Sequence, residues 1–322
     1  MQKRLRFEYP DGVKASLWGI LSPLIVALVV SIVASIVCVI AEIAPETLDT
    51  NPAFHLITNA ITQLGFLSVA LILAYKTKTN IVEATGLKTT SPWWIYILCA
   101  VLAIAISLLL NPIIASWQEL LSLINFNVPD LPIEVNSVGN LFLLLGLMAV
   151  LPAICEELLF RGVLLNSLRK YGAVVSIFLS ATFFSLMHMS LLQLPYTFAL
   201  GVLLGIVVYY TRNLTLSMIM HFTNNAFVLI LEYLTYGQAQ SAFPWYMVLI
   251  GLAGVAIFVL IIYFVAKLLN KVCFAKTQST EQQYLAIQQD LPQKVRKSMW
   301  LMPSLVAGFC LIIMSLVSFG VL

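Results

Sequence analysis

The chain places two adjacent carboxylates inside a strongly apolar run, Leu151-Pro152-Ala153-Ile154-Cys155-Glu156-Glu157-Leu158-Leu159-Phe160-Arg161. Apart from the carboxylates and the closing arginine, this run has the composition of a membrane-spanning helix. A charged side chain at the centre of a bilayer costs roughly 2.5–3.5 kcal/mol on insertion scales, so ionisable groups at that depth usually serve a function. We therefore take Glu156 and Glu157 as the starting point for a functional site.

The composition of the whole chain is that of a polytopic membrane protein. Of its 322 residues, 61% are hydrophobic and only 10% are charged, whereas a soluble domain is about 45–50% apolar and about 25% charged. The net charge of +3 and the lack of a basic run interleaved with aromatic residues argue against a nucleic-acid partner. The five cysteines show no CxxC spacing, so we predict neither a disulfide framework nor a zinc ribbon.

Nine apolar runs are candidate helical spans, and most of them reach the length of about 20 residues that a hydrocarbon core of about 30 Å requires. They cover approximately residues 17–40, 55–75, 93–117, 141–171, 174–189, 196–210, 214–233, 245–269 and 301–322. We expect an all-α polytopic membrane protein with about eight to nine transmembrane helices. If only eight of these runs cross the membrane, the last run, at 301–322, is instead a peripheral hydrophobic tail. Gly201 and Gly205 form a GxxxG pattern in the sixth span, which favours close helix packing within the molecule over dimerisation.

Lysine and arginine define the expected orientation in the lipid bilayer. With the N-terminus in the cytoplasm, all 17 basic residues fall in inner segments or at inner span ends, as the positive-inside rule requires. Adding or removing one of the first eight spans would break this pattern. We expect three parts: N-terminal helices one to three at 1–140, a core at 141–235, and C-terminal helices at 236–322 with a cytoplasmic loop at 271–299.

Two of the three histidines lie in apolar stretches near the depth of the carboxylates. Glu156 is 16 residues before Gly172 and His188 is 16 residues after it, so both lie at one depth if the two helices are straight. His221 and Asn225 are four residues apart and share one face of the seventh span. A single buried histidine is usually structural, but two of them with two carboxylates and an asparagine favour a site. We predict a polar catalytic cavity between helices four, five and seven.

These residue types suit hydrolysis. A glutamate can act as general base towards a water molecule, assisted by a neutral histidine, and a second histidine with an asparagine can donate hydrogen bonds to an oxyanion. Arg161 follows Glu157 by four residues and can pair with it on one helix face. Pro152 precedes Glu156 by four residues, where it kinks the helix and frees a carbonyl group.

Zinc is the alternative chemistry for the same residues. Two histidines and a carboxylate can hold a catalytic zinc ion with one open position, and the candidate ligands are Glu156, His188 and His221. The chain has no HExxH motif, and the three ligands would come from three helices. The residues alone require no cofactor and leave zinc open.

At these positions the chain resembles the CPBP family of intramembrane proteases, also called the Abi or type II CAAX prenyl protease family. The family pattern of EExxxR, FxxxH and HxxxN on separate helices is matched in order by Glu156-Glu157-x-x-x-Arg161, Phe184-x-x-x-His188 and His221-x-x-x-Asn225. The resemblance covers approximately residues 141–233.

The resemblance implies an endopeptidase that acts inside the membrane. It implies that Glu156 with His188 activates the water, that His221 and Asn225 form the oxyanion hole, and that Glu157 and Arg161 support them. We take Phe184 and Pro152 as further candidate structural residues. The family was long labelled a metalloprotease, whereas a metal-free mechanism is implied for its CAAX-processing members. Bacterial relatives are tied to peptide maturation, bacteriocin self-immunity and surface-protein display.

We therefore expect a membrane protein or lipidated peptide as substrate, and a multi-pass protein of a bacterial cell membrane. Two alternatives stay open at this point. One is a non-catalytic immunity or scaffolding protein of the same fold. The other is a transporter with a proton-coupled Glu156–His188 relay, which the lack of inverted repeats and of paired broken helices disfavours.

Overall fold

A computed structural model describes residues 6–42, 44, 46–123, 133–238 and 246–290. Within these ranges the structure is built from helices, and no strand occurs among them. The eight main helices are α1 (Tyr9–Ala41), α2 (Pro52–Lys76), α3 (Trp93–Ser122), α4 (Val138–Tyr171), α5 (Ala173–Leu186), α6 (Leu194–Thr211), α7 (Leu214–Thr235) and α8 (Tyr246–Asp290). Two one-turn helices, Glu46–Asp49 and Ile81–Ala84, lie in connecting segments.

The eight helices correspond to the first eight predicted spans. Seven of them are long and apolar enough to cross a membrane, and α5 is apolar but has only 14 residues. The prediction of an all-α polytopic membrane protein is therefore confirmed for the described part of the chain. The predicted ninth span at 301–322 lies outside the described residues.

The segments that we expect on the cytoplasmic side meet at one end of the bundle. The ring of Tyr9 packs edge-on against Tyr171, with 5.5 Å between ring centroids. The side-chain amide of Asn213 donates a hydrogen bond of 3.0 Å to the hydroxyl of Ser91. The N-terminus, the α2–α3 connection, the α4–α5 turn and the α6–α7 turn therefore share this end, as the predicted topology requires. The side of the membrane that this end faces stays a prediction.

Helix α4 is irregular around the glutamate pair. In chain order it consists of α-helical Val138–Leu144, π-helical Leu145–Val150, α-helical Leu151–Glu157, π-helical Leu158–Leu165, α-helical Asn166–Leu168 and a 3₁₀ turn at Arg169–Tyr171. Pro152 has no N–H group to continue the ladder of hydrogen bonds, which accounts for an interruption just before it. π-helical segments inside α-helices are frequent at functional sites.

Two glycine-dependent features position α5 and α6. Gly172 has a φ of 91°, a conformation that glycine adopts without strain, and it forms the predicted turn between α4 and α5. A Cβ atom on Gly201 would lie 3.1 Å from the backbone of Ala181 on α5. The GxxxG pattern of α6 thus lets two helices of the same molecule approach closely, as predicted.

A non-helical turn joins α5 to α6. With 14 residues, α5 is about 21 Å long, so a helix of this length that starts at one surface of a hydrocarbon core of about 30 Å would end inside it. Backbone at that depth needs partners within the protein. The indole N–H of Trp117 donates to the carbonyl of Leu191 at 2.9 Å, and the hydroxyl of Ser185 donates to the carbonyl of Leu194 at 2.8 Å. His188 lies on this turn, which we predicted at 189–195.

Helix α8 departs from the sequence prediction. It does not end near residue 269 but continues to Asp290, so the predicted loop at 271–299 is wrong as far as Asp290. The sequence contains neither glycine nor proline between Gly254 and Pro292. With no residue that breaks a helix, the lysine, glutamine and alanine side chains beyond the apolar run favour its continuation.

Candidate active site

Glu156 lies in the α-helical segment between the two π-helical segments of α4, and only 3% of it is exposed. Its Oε1 atom accepts a hydrogen bond of 2.7 Å from Nε2 of Gln63 on α2. Its Oε2 atom has no hydrogen-bond partner among the described residues. Nε2 of His221 lies 3.9 Å from this Oε2 atom. One carboxylate oxygen is therefore fixed, and the other is available for chemistry.

Glu157 is fully buried, and both of its oxygens are bonded. Oε1 accepts a hydrogen bond of 2.5 Å from Nη1 of Arg161 and lies 3.0 Å from Nδ1 of His221. Oε2 accepts a hydrogen bond from the hydroxyl of Ser217. The predicted pair between Glu157 and Arg161 is present. Because three side chains occupy it, Glu157 anchors its neighbours, and Glu156 is the carboxylate with a free oxygen.

Arg161 is fully buried on the same face of α4, where its charge needs partners. Besides Glu157, its guanidinium donates to the carbonyl of Gly201 at 3.3 Å. Its Cζ atom lies 4.0 Å from the centroid of the Phe184 ring, a cation–π arrangement. The close approach of α6 at Gly201 brings this carbonyl within reach. Arg161 therefore ties α4 to α5 and α6.

His221 on α7 lies between the two carboxylates. An ionised carboxylate only accepts hydrogen bonds, so Nδ1 of His221 donates to Glu157. The ring also packs edge-on against Phe184, with 5.7 Å between centroids. These two contacts fix the orientation of the imidazole. Nε2 is the nitrogen that remains for Glu156, for water or for a substrate.

His188 is half-buried on the turn after α5. Its Nδ1 lies 2.8 Å from the carbonyl oxygen of Phe184 and donates to it, which leaves Nε2 unoccupied by this bond. Its ring packs edge-on against the ring of Phe184, with 5.1 Å between ring centroids. No hydrogen bond or ion pair joins His188 to Glu156 in the described part of the chain. Two straight helices would bring these residues to one depth, but α4 is π-helical over Leu158–Leu165 and α5 ends at Leu186, before His188.

Asn225 connects α7 to the interruption in α4. Its Nδ2 donates a hydrogen bond of 3.1 Å to the carbonyl of Met148. Met148 lies in the π-helical segment just before Pro152, so this bond brings a donor from α7 to the part of α4 where the proline lacks an N–H group. An amide nitrogen carries two hydrogens, so one N–H of Asn225 remains. His221 and Asn225 occupy one face of α7, as predicted.

Several polar residues that hold the site were missed by the sequence reasoning. They are Gln63, Ser107, Tyr196, Ser217 and Asn224. The Oδ1 atom of Asn224 accepts hydrogen bonds from the hydroxyls of Ser107 and Tyr196 at 2.7 and 2.6 Å, and its Nδ2 donates to Oδ1 of Asn225 at 3.1 Å. Ser217 carried a signal, because it precedes His221 by four residues and shares its helix face. Gln63 is a buried amide on α2, where Thr58, Asn59 and Thr62 are polar as well, so it does not stand out in the sequence.

The candidate zinc ligands do not fit a zinc site. Two ligands about 2.1 Å from a tetrahedral zinc ion lie roughly 3.4 Å apart. Nε2 of His221 and Oε2 of Glu156 are 3.9 Å apart. In the described ranges, no three side chains of histidine, cysteine, aspartate or glutamate form a group that could hold a metal ion.

The fold and this site define a helical membrane protein whose buried polar centre combines a carboxylate, two histidines and an asparagine. Residues 138–227 match the model of a protein family described as type II CAAX prenyl endopeptidase Rce1-like. This is the family that the three motifs resemble, and the matched segment contains all of them. The match covers less than a third of the chain and leaves α1, α2, α3 and α8 outside it. No curated protein and no solved structure matches the chain significantly.

Proposed function

We propose that the protein is an intramembrane endopeptidase that hydrolyses a peptide bond in a membrane-associated or lipidated protein or peptide. The contrast between two adjacent carboxylates carries the proposal. Glu157 is saturated by three donors, whereas Oε2 of Glu156 is buried, has no partner in the described structure and lies 3.9 Å from Nε2 of His221. The family match over residues 138–227 supports a protease-type fold.

Glu156 is the general base in this mechanism. Its Oε2 atom removes a proton from a water molecule while the water oxygen attacks the carbonyl carbon of the substrate. The carboxyl then returns the proton to the leaving nitrogen as the C–N bond breaks. His188 orients the water through Nε2, because its Nδ1 is occupied by the Phe184 carbonyl.

His221 and Asn225 are the proposed donors to the oxyanion. The second N–H of Asn225 remains after its bond to Met148. Because Nδ1–H of His221 is bonded to Glu157, Nε2 donates to the oxyanion when the ring carries its second proton, and the two residues lie one turn apart on α7. Removing one such donor in another hydrolase lowers kcat by about 10²–10³-fold. Glu157, Arg161, Phe184 and Pro152 act through these residues by fixing their positions.

Residues 141–235 form the proposed catalytic core, with the helices of 1–140 and 236–322 around it. The site lies within an apolar bundle, so a substrate held in the bilayer by a lipid or by its own apolar segment is the kind that can reach it. A prenylated CAAX peptide, which the family description names, is the first substrate to test. We place the protein in a bacterial cell membrane as part of the same proposal.

The test uses purified protein in detergent and quenched fluorogenic peptides: a farnesylated CAAX peptide, other lipidated peptides and transmembrane peptides. Wild type, Glu156→Gln and the control Glu232→Gln, a carboxylate of α7 outside the site, are each assayed with and without a strong chelator. We expect cleavage by wild type and control, a loss of about 10²–10⁴-fold in Glu156→Gln, and no effect of the chelator.

Wild-type cleavage by Glu156→Gln would contradict the proposed base. Loss of activity with chelator alone would mean that the donors rearrange around a metal. If wild type cleaves none of the peptides, the proposal gives way to the non-catalytic immunity or scaffolding role.

A further inference from the structure

Gln63 brings helix α2 into the site. It lies on α2, outside the segment that matches the family model, and it is only 4% exposed. Its neighbours in the helix are mostly apolar, and an amide buried without partners is costly. The placement of this amide against Glu156 therefore needs a reason beyond packing.

The contact between Gln63 and Glu156 selects which oxygen can react. Nε2 of Gln63 donates to Oε1 of Glu156 at 2.7 Å, and this bond opposes rotation of the carboxylate. Oε2 of Glu156 and Oε1 of Gln63 are both buried and have no hydrogen-bond partner in the part of the chain that is described. Buried acceptors of this kind need a donor, and in a hydrolase the available donors are the water and the N–H groups of the substrate.

The packing of α2 against α4 does not depend on Gln63. Phe66 lies three residues further along the same helix and is only 1% exposed. Its ring packs against the ring of Phe160, with 6.0 Å between ring centroids. This apolar contact holds the two helices together beside the site. Removal of the Gln63 amide is therefore expected to alter Glu156 rather than the fold.

We infer that Gln63 is a positioning residue of the proposed hydrolysis: its amide holds Oε1 of Glu156 so that Oε2 is the oxygen that takes the proton from water. The inference rests on the proposed function. It also extends the proteolytic unit beyond residues 138–227, because α2 supplies one of its polar groups.

The test compares Gln63→Met, which keeps the length of the side chain without its amide, with Asn59→Leu. Asn59 lies one turn earlier on α2 and donates to the carbonyl of Leu147 at 3.5 Å. With the farnesylated fluorogenic peptide, or whichever peptide wild type cleaves, we expect kcat of Gln63→Met to fall about 10- to 100-fold. KM should stay within about twofold, because substrate binding is not altered. Asn59→Leu should leave both constants within about twofold of wild type.

Gln63→Asn is the second variant, because its amide is one methylene too short to keep the bond to Oε1 while the site stays polar. We expect the same loss of kcat in Gln63→Asn. If Gln63→Met does not fold, Gln63→Asn alone provides the test of the inference. If the folded Gln63 variants keep wild-type kcat while Glu156→Gln is inactive, the inference fails and the proposed function stands. A rise in KM alone would assign Gln63 to substrate binding and overturn the positioning role. An inactive wild type would overturn the proposed function, and the inference with it.

Discussion

At the scale of single residues, two neighbouring glutamates differ in how they are held. Glu157 shares a fully buried ion pair with Arg161 and bonds two more side chains, whereas Glu156 accepts one bond from an uncharged amide. A buried charge that loses its partner is strongly destabilising, while an uncharged pair of similar volume is often tolerated. Glu157 and Arg161 should therefore govern stability, and Glu156 should govern the reaction.

Glu157→Gln should lower the free energy of unfolding by about 3–5 kcal/mol, because the buried Arg161 guanidinium loses its counter-charge. The double variant Glu157→Gln/Arg161→Met should recover most of this loss, since no unpaired charge then remains. Thermal unfolding in detergent measures both. Glu156→Gln is the matched control, and it should stay within about 1.5 kcal/mol of wild type. A Glu157→Gln protein as stable as wild type would contradict the role of the ion pair.

Sequence reasoning could find the candidate site residues because their types are out of place in an apolar run. Glu156, His188 and His221 stand out in this way, and the Glu157–Arg161 pair follows from helical spacing alone. The partners from other helices could not be found, because the choice of Gln63 depends on how α2 packs against α4. The contact of His221 with both carboxylates depends on tertiary packing in the same way.

At the scale of elements, α4 is shaped by the residue that interrupts it. Pro152 has no N–H group to donate, and beside it the amide of Asn225 donates to the carbonyl of Met148 in the preceding π-helical segment. Apolar run length predicted the ends of α2 to α7 to within five residues, since it reports the thickness of the bilayer, but α1 begins at Tyr9, eight residues before the predicted start. It could not predict the π-helical segments, which leave no mark on hydropathy. Apolar run length also placed the end of α8 too early, because a helix can continue beyond the end of its apolar run.

The close approach of α5 and α6 is testable at one glycine. Gly201→Ala should destabilise the protein by about 1–3 kcal/mol, because its Cβ would lie 3.1 Å from the backbone of Ala181 and 3.2 Å from the Phe184 ring. It should also lower the rate of cleavage, since Arg161 bonds the Gly201 carbonyl. Gly146→Ala is the control, because its Cβ meets nothing within 4 Å.

In that control the loss of backbone freedom in the unfolded chain should instead raise stability by about 0.4–1 kcal/mol. Thermal unfolding and the peptide assay measure the two variants side by side. Equal effects of both substitutions would show that the helix contact at Gly201 is not what holds the site.

At the scale of the whole molecule, the distribution of basic residues and the packing point to one arrangement. The turns that carry Arg169, Lys170 and Arg212 lie at the end of the bundle where the N-terminal segment meets Tyr171. At the opposite end of α7 from Arg212, the hydroxyl of Tyr236 donates a hydrogen bond of 2.9 Å to Oε2 of Glu134. The positive-inside rule predicts a cytoplasmic position for this basic end.

Single cysteines test this orientation in a background in which the five native cysteines are replaced by alanine. Thr90 and Gln238 are both exposed, and the predicted topology places Thr90 inside and Gln238 outside. A membrane-impermeant maleimide should label Gln238→Cys in intact cells, and should label Thr90→Cys only after permeabilisation. Leu322→Cys tests the sequence-predicted ninth span, because a ninth crossing brings residue 322 outside and a peripheral tail leaves it inside. Labelling of Thr90→Cys in intact cells would reverse the topology and place the basic end of the bundle outside the cell.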